Sequence, residues 1–392
     1  MKTRYFDQAA SSFPKAPGVG KAMADYIENS GVNVGRGNYG KAADAELTVL
    51  ETREQLKKLF HFPAPEKYVI FTPGATWGLN QILRGWLKPG DHVIVSSMEH
   101  NAVMRPISDL QKQGVSFSRI PADSAGRTKA EDLPPLIRPN TKLVLVNHAS
   151  NVSGTIFPLG EVSKLCREAR IPLAVDAAQT AGYLPIDFEA LGLSALCVPG
   201  HTGLLGPQGI GALLLAPEFA KNLSPIITGG TGSASDSEVQ PDYLPDRFES
   251  GTLNLPGIFG LHAALNYILS QNKEELRQKM QSLTKQFIDG VKGLPIRVAG
   301  PADPGEQVGV ISLDFCGMDN GEVSFALEQE YGILTRCGLH CAPNAHRTLG
   351  TFPQGTVRFS FGHTAAEEDI AFAVSAVKQI SKNIQKGGLH NG

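Results

Sequence analysis

The sequence predicts an α/β protein: a doubly wound, mostly parallel sheet domain followed by a smaller C-terminal α+β domain. Three observations carry this. Short apolar, β-branched runs alternate with helical patterns over roughly the first 255 residues, as expected of strands buried on both faces. Near residue 255 the pattern changes to long helical stretches and then to a second set of strands. The chain of 392 residues, 42% of them hydrophobic, is long enough for one large core and a second, smaller one.

Taken in order, residues 1–20 are too short to fold alone and are expected to pack on the smaller domain. The large domain is placed at 21–255. Its buried strands are read at KYVIF (67–71), HVIVS (92–96), KLVLVN (142–147), PLAVDA (172–177), ALCV (195–198) and GALLL (211–215), with helices at 76–86, 101–113 and 160–170 between them. Loops bearing chemistry then belong at the carboxyl ends of those strands. Residues 257–294 read as one or two long helices, so the linking helices are set at 256–290. The small domain, 291–392, holds VGVISLDF, a helix near 320–331, GILTR, GTVRFSF and a closing helix at 366–383. No repeat or low-complexity linker interrupts this order.

Composition excludes several classes. Net charge is −2 with both signs dispersed, so no basic block suggests a nucleic-acid or membrane surface. No apolar run approaches the roughly 18 residues of a membrane span. The start, MKTRYFDQAASSFP, lacks an apolar leader core and reads as cytoplasmic protein. Five scattered cysteines, Cys166, Cys197, Cys316, Cys337 and Cys341, do not form a disulfide framework. Cys337 and Cys341 flank His340, but no second ligand pair completes a metal site.

Chemistry concentrates in five stretches. FTPGATWGLNQIL (71–83) is strand, tight turn and helix, with Gly74 free to take positive φ. The amides near Ala75 and Thr76, with the Thr76 hydroxyl, make a phosphate site of the helix N-terminus. Alone, the same stretch is an ordinary turn. Neither GxxxxGK[ST] nor GxGxxG is present, so a nucleotide P-loop and a dinucleotide fingerprint are unsupported. SSMEHNA (96–102) puts His100 after a strand, and NHASNVSGTIFPL (147–159) puts Asn151 in a turn after another. AVDAAQTAG (174–182) ends a strand on Asp176, with Gln179 three residues on. A carboxylate closing a buried strand is costly without a cation or strong donor, and a protonated pyridine nitrogen is such a partner. VPGHTGLLGPQGIGALLL (198–215) is a glycine-rich loop with His201 and Thr202 at its mouth.

In this order along one sheet, these motifs resemble the class V aminotransferases, specifically the cysteine desulfurases and selenocysteine lyases, from about residue 5 to 380. TRCGLHCAP (335–343) resembles the R-x-G-x-H-C-A segment of the branch with a short cysteine loop. The resemblance implies the pyridoxal 5′-phosphate (PLP) dependent fold type I, with a seven-stranded sheet in its large domain. It implies that Ala75, Thr76 and His201 bind the PLP phosphate, His100 stacks on the ring, Asp176 pairs with the ring nitrogen, and Gln179 meets the phenolic oxygen. Asn151 and Arg358 would hold the substrate carboxylate, Arg because its fork matches one, with His340 beside them. Thr252, in ESGTLNLPG, resembles a threonine that reaches the phosphate of the neighbouring subunit, implying a homodimer. Cys341 would take sulfur from L-cysteine as a persulfide, with release of alanine, for delivery to a sulfur-acceptor protein. His340, Arg336 and His346 nearby would favour its thiolate. The bland readings are a surface ion pair for Arg358 and a structural thiol for Cys341.

One position departs from the family. Its loop reads Gly-His-Lys, and that lysine forms the Schiff base with PLP and moves the substrate's α-proton. Here the residue is Thr202, which has no amine and is a poor base. No other lysine lies in the loop; Lys164 and Lys221 are far along the chain. A replacement made to trap a complex, a natural relative without desulfurase turnover, and a sequence error all remain open. So do two other activities: a selenocysteine lyase or other C–S lyase acting on L-selenocysteine, and a non-catalytic scaffold. Pro199 also stands where the family often has serine, one phosphate contact fewer.

Overall fold

The computed structural model describes residues 2–35 and 39–385. The strands are β1 (Arg4–Tyr5), β2 (Val69–Thr72), β3 (His92–Ser96), β4 (Ser116–Ile120), β5 (Thr141–Asn147), β6 (Leu173–Asp176), β7 (Ala195–Pro199), β8 (Gly211–Leu215), β9 (Arg297–Ala299), β10 (Val310–Asp314), β11 (Ile333–Leu334), β12 (Arg336–Gly338) and β13 (Thr356–Ser360). The helices are α1 (Val19–Asp25), α2 (Gly40–Phe60), α3 (Ala75–Trp86), α4 (Asn101–Gln111), α5 (Leu159–Glu168), α6 (Pro217–Asn222), α7 (Leu255–Ser270), α8 (Lys273–Val291), α9 (Asn320–Tyr331), α10 (Pro343–Leu349) and α11 (Glu367–Gln385).

The large sheet has seven strands in the order β2-β8-β7-β6-β5-β3-β4. Only β8 runs against its neighbours, so β2, β3, β5, β6 and β7 all end at one edge. Alternate side chains serve opposite faces. Ile94, Val144, Val175, Leu196 and Leu214 face a layer containing Leu56 and Phe60 of α2 and Ile258, Leu261 and Leu265 of α7. Val93, Val95, Leu143, Ala174 and Leu213 face Leu79, Ile82 and Leu83 of α3 and Val103 and Ile107 of α4. Continuous apolar runs are therefore what this sheet needs.

The second sheet is antiparallel, β12-β13-β10-β9. Phe287 of α8, Val323 and Leu327 of α9 and Val377 and Ile380 of α11 build its core with Val357 and Phe359. Phe6 joins this core, and β1 pairs in parallel with β11.

Several elements lie outside the sequence reading, and two of them show why. β4 was not expected, because SFSRI at the sheet edge buries only Ile120 fully and carries a mixed pattern. The 21-residue helix α2 was not singled out either, since Thr52 and Arg53 interrupt its buried apolar stripe. The long helical stretch after residue 255 is two helices, broken at Gln271–Asn272, where the Asn272 side chain caps α8.

Candidate active site

Five strand ends converge on one cavity of about 750 Å³. The turn after β2 brings Ala75 and Thr76, β3 brings His100, β5 brings Asn151, β6 brings Asp176 and Gln179, and β7 brings His201 and Thr202. The smaller domain closes the opposite wall with Arg336, His340, Cys341 and Arg358, and Ala9 and Ala10 come from the N-terminal segment.

The sheet forces this arrangement locally. Gly74 precedes α3 at φ 154°, ψ 177°, a region open to glycine and little else. The next two residues start the helix, so the amides of Ala75 and Thr76 have no intrahelical acceptor and lie at the cavity. Gly203, just past Thr202, packs so closely that a Cβ there would lie 1.9 Å from the Ala181 carbonyl oxygen. That contact fixes the loop against the turn after β6.

Asp176 is 6% exposed and accepts a hydrogen bond from the Ala178 amide at 2.9 Å. Burial pushes its pKa up to about 6, and among the described residues no cation pairs with it. Behind it lies Glu99, 1% exposed, whose Oε1 accepts from Ser96 Oγ (2.5 Å) and the Asn147 amide (2.9 Å). Its Oε2 has no partner among the described residues, and burial raises its pKa to about 8. His100 caps α4 by accepting the Ala102 amide on Nδ1 at 3.0 Å, so its neutral ring carries the proton on Nε2. Burial lowers its pKa and keeps it neutral.

The carboxylate side is equally defined. Arg358 is 2% exposed; Nη2 donates to Asp7 Oδ1 (2.7 Å) and Nη1 to the Asn151 carbonyl (3.1 Å), while Nε has no partner. Asn151 Oδ1, His201 Nδ1 and His340 Nδ1 are also buried without a partner and belong to residues lining the cavity. Buried polar atoms are nearly always paired, so this cluster is built for a polar ligand. Cys341 is exposed at the cavity wall in a left-handed backbone conformation, φ 55°. Its carbonyl accepts the Asn101 amide (2.7 Å), and the His340 carbonyl accepts Asn151 Nδ2 (2.8 Å), so the segment is pinned to two strand-end loops. Burial holds His340 (pKa about 2) and His346 (about 4) neutral. These two histidines therefore supply no positive charge beside Cys341.

Thr202 is 6% exposed, and its hydroxyl donates to the Ala178 carbonyl at 2.6 Å. Gln179 donates to the Ala9 carbonyl at 3.1 Å. Thr252 is exposed and does not line its own chain's cavity. Sequence reading missed Asp7, Glu99 and Lys15. Lys15 Nζ lies 3.0 Å from the His201 carbonyl oxygen and on the hydroxyls of Ser11 and Ser12, and burial lowers its pKa to about 8. It does not line the cavity.

The donor set fits PLP held without a covalent bond. A buried carboxylate short of a cation stands at the floor, a neutral ring at one side, and open helix amides at the rim. Among the described residues no lysine lines the cavity. The remaining group, an arginine with one free edge beside a cysteine, suits an amino acid bearing sulfur.

Comparison with known proteins agrees. The family model described as aminotransferase class-V matches residues 4–372. The chain is 29% identical to a probable cysteine desulfurase of Methanothermobacter thermautotrophicus, covering 97% of this chain and 96% of that one. It is 30% identical to a probable cysteine desulfurase of Pyrococcus abyssi, covering 97% and 95%. Among solved structures, apo cysteine desulfurase from Thermococcus onnurineus NA1 superposes with a TM-score of 0.91 at 29% identity, covering 97% and 95%.

Proposed function

Because the chain belongs to the class V aminotransferases, a family of PLP-dependent enzymes, we propose that it is a PLP-binding protein of the cysteine desulfurase type, held short of turnover by Thr202. The observation that carries this is the convergence of Asp176, Arg358 and Cys341 on one cavity. PLP, when bound, supplies the electron sink that makes the substrate's α-proton and C–S bond labile.

The chain's own residues do the rest. With PLP bound, Asp176 would gain a cation to offset its burial and would keep the ring nitrogen protonated. His100 presents a flat neutral ring, and the amides of Ala75 and Thr76 meet the phosphate. Arg358 and Asn151 hold the substrate carboxylate. In a protein with a base at position 202, the Cys341 thiolate would attack the sulfur of L-cysteine: an S–S bond would form as the C–S bond breaks, the electron pair of that bond would stay with the carbon, which takes up a proton, the protein would keep a persulfide, and the carbon skeleton would leave as alanine. Cys341 is exposed, which suits transfer to an acceptor protein. Thr202 offers neither an amine for covalent attachment nor a base, and its hydroxyl is committed to Ala178. A homodimer completes the phosphate site through the partner's Thr252; sedimentation showing a monomer with tight PLP binding contradicts this.

Visible absorbance of the purified protein with added PLP tests the reading. PLP is expected to bind reversibly, with affinity falling sharply in Asp176→Ala. L-alanine is expected to shift the spectrum of the loaded protein, and Arg358→Ala to abolish that shift. Failure to bind PLP, or binding indifferent to Asp176, contradicts the proposal.

A further inference from the structure

We infer that Asp7 is a positioning residue for carboxylate recognition: it holds the Arg358 guanidinium in one orientation at the cavity wall and leaves its Nε–H uncommitted. The inference rests on the reading that Arg358 receives the substrate carboxylate.

Arg358 sits on β13 directly opposite Arg336 of β12, and both line the cavity. Like charges opposed across an antiparallel pair repel. A buried guanidinium in that position needs a counter-charge, and Asp7 is the carboxylate within ion-pair distance among the described residues. Both terminal nitrogens are tied, Nη2 to Asp7 at 2.7 Å and Nη1 to the Asn151 carbonyl at 3.1 Å. A planar fork held at two corners has its third donor direction fixed. That third donor, Nε, is the one left buried and unpartnered.

Asp7 is itself held by the strand that carries Arg358. It bridges Ser360, two residues beyond Arg358, and its carbonyl accepts the Tyr5 hydroxyl at 3.1 Å. The Ser360 amide donates to Phe6, and the Ala9 amide to Ser360 Oγ at 2.9 Å. The N-terminal segment thus delivers a carboxylate to a set point beside β13, although 351 residues separate the pair in sequence.

The test compares L-alanine with ethylamine, which has the same amine and methyl group but no carboxylate, by the concentration giving half the visible absorbance change of the PLP-loaded protein. The unaltered protein is expected to prefer L-alanine by about tenfold or more, the worth of one charge-assisted hydrogen bond. Asp7→Ala is expected to lose most of that preference with PLP affinity unchanged. Asp7→Asn, which keeps the acceptor oxygen but not the counter-charge, should retain more of the preference than Asp7→Ala does. Asp7→Glu keeps the charge but displaces the fork, and should lose preference as Asp7→Ala does. Preference retained in Asp7→Ala or Asp7→Glu, or lost equally in Asp7→Asn, overturns the positioning role alone. An unaltered protein indifferent to the carboxylate overturns the Arg358 reading itself.

Discussion

Two buried carboxyls, Asp176 and Glu99, stand close together at the strand ends, and burial raises both. On the proposed reading Asp176 meets a pyridinium; Glu99 has no such use, and its Oε2 has no partner among the described residues. Glu99 rises from an ordinary 4.5 to about 8 on folding. A carboxyl raised in the folded state binds protons there that the unfolded chain has released, so its contribution is complete at low pH and is lost as pH rises through about 8. Without cofactor, Glu99→Gln should therefore be less stable than or similar to the unaltered protein at acid pH and gain on it steadily toward pH about 8, measured by denaturant unfolding across pH. A stability difference that does not change with pH contradicts a protonated Glu99. What was legible at this scale was what stood beside its own strand end: Asp176, His100 and Asn151 follow apolar runs. Asp7 and Lys15 were not, because their partners Arg358 and His201 lie 351 and 186 residues away. Glu99 is not legible in the sequence because its state is set by burial and by the Asn147 amide, 48 residues away.

The segments that reach the cavity are held by contacts the apolar pattern does not announce. Arg53 of α2 forms a bidentate pair with Glu249 at 2.8 and 2.7 Å, both side chains buried. Glu249 Oε1 also accepts the Phe71 amide at 2.6 Å, and Arg53 lies over the Phe71 ring. This ties α2 and β2 to the stretch leading to Thr252. Removing one partner strands a buried charge, so Glu249→Ala should cost about 3–5 kcal/mol by denaturant unfolding; a loss under about 1 kcal/mol means the pair is not buried as drawn. The segment 339–342 is pinned in the same manner, through Asn101 and Asn151. Of the five thiols, Cys166 and Cys197 are buried, and burial pushes their pKa up, Cys166 to about 12. Cys316, Cys337 and Cys341 are exposed, but only Cys341 lines the cavity. Alkylation followed by peptide mapping should label those three, with PLP and L-alanine together protecting Cys341 selectively. Equal protection of Cys337, or none, places the ligand elsewhere. At this scale, α3, α4 and the buried strands were read from period alone, whereas α2 and β4 were lost where polar residues interrupt a buried stripe or an edge strand buries little.

The whole molecule brings together one end of a parallel sheet, the β12–β13 edge of a second sheet and an N-terminal segment stitched to it by β1 and β11. On the proposed reading the sheet supplies the cofactor side of the cavity and the second sheet the carboxylate and sulfur side, with Asp7 holding Arg358. The α/β class and the strand-to-motif order were legible because buried parallel strands leave continuous apolar runs. The meeting of the two halves was not, because it depends on long-range packing and reached the sequence reading only through resemblance to a family. Within that frame the central claim is that every part of a desulfurase site is in place except the amine at position 202. Alanine released from L-cysteine by the PLP-loaded protein, compared with its Thr202→Lys variant, tests this most directly. The account predicts alanine from Thr202→Lys, and a rate from the unaltered protein lower by at least the factor of about 10²–10⁴ lost with a general base. Comparable rates from the two proteins, or no alanine from a Thr202→Lys protein that holds PLP covalently, would contradict it.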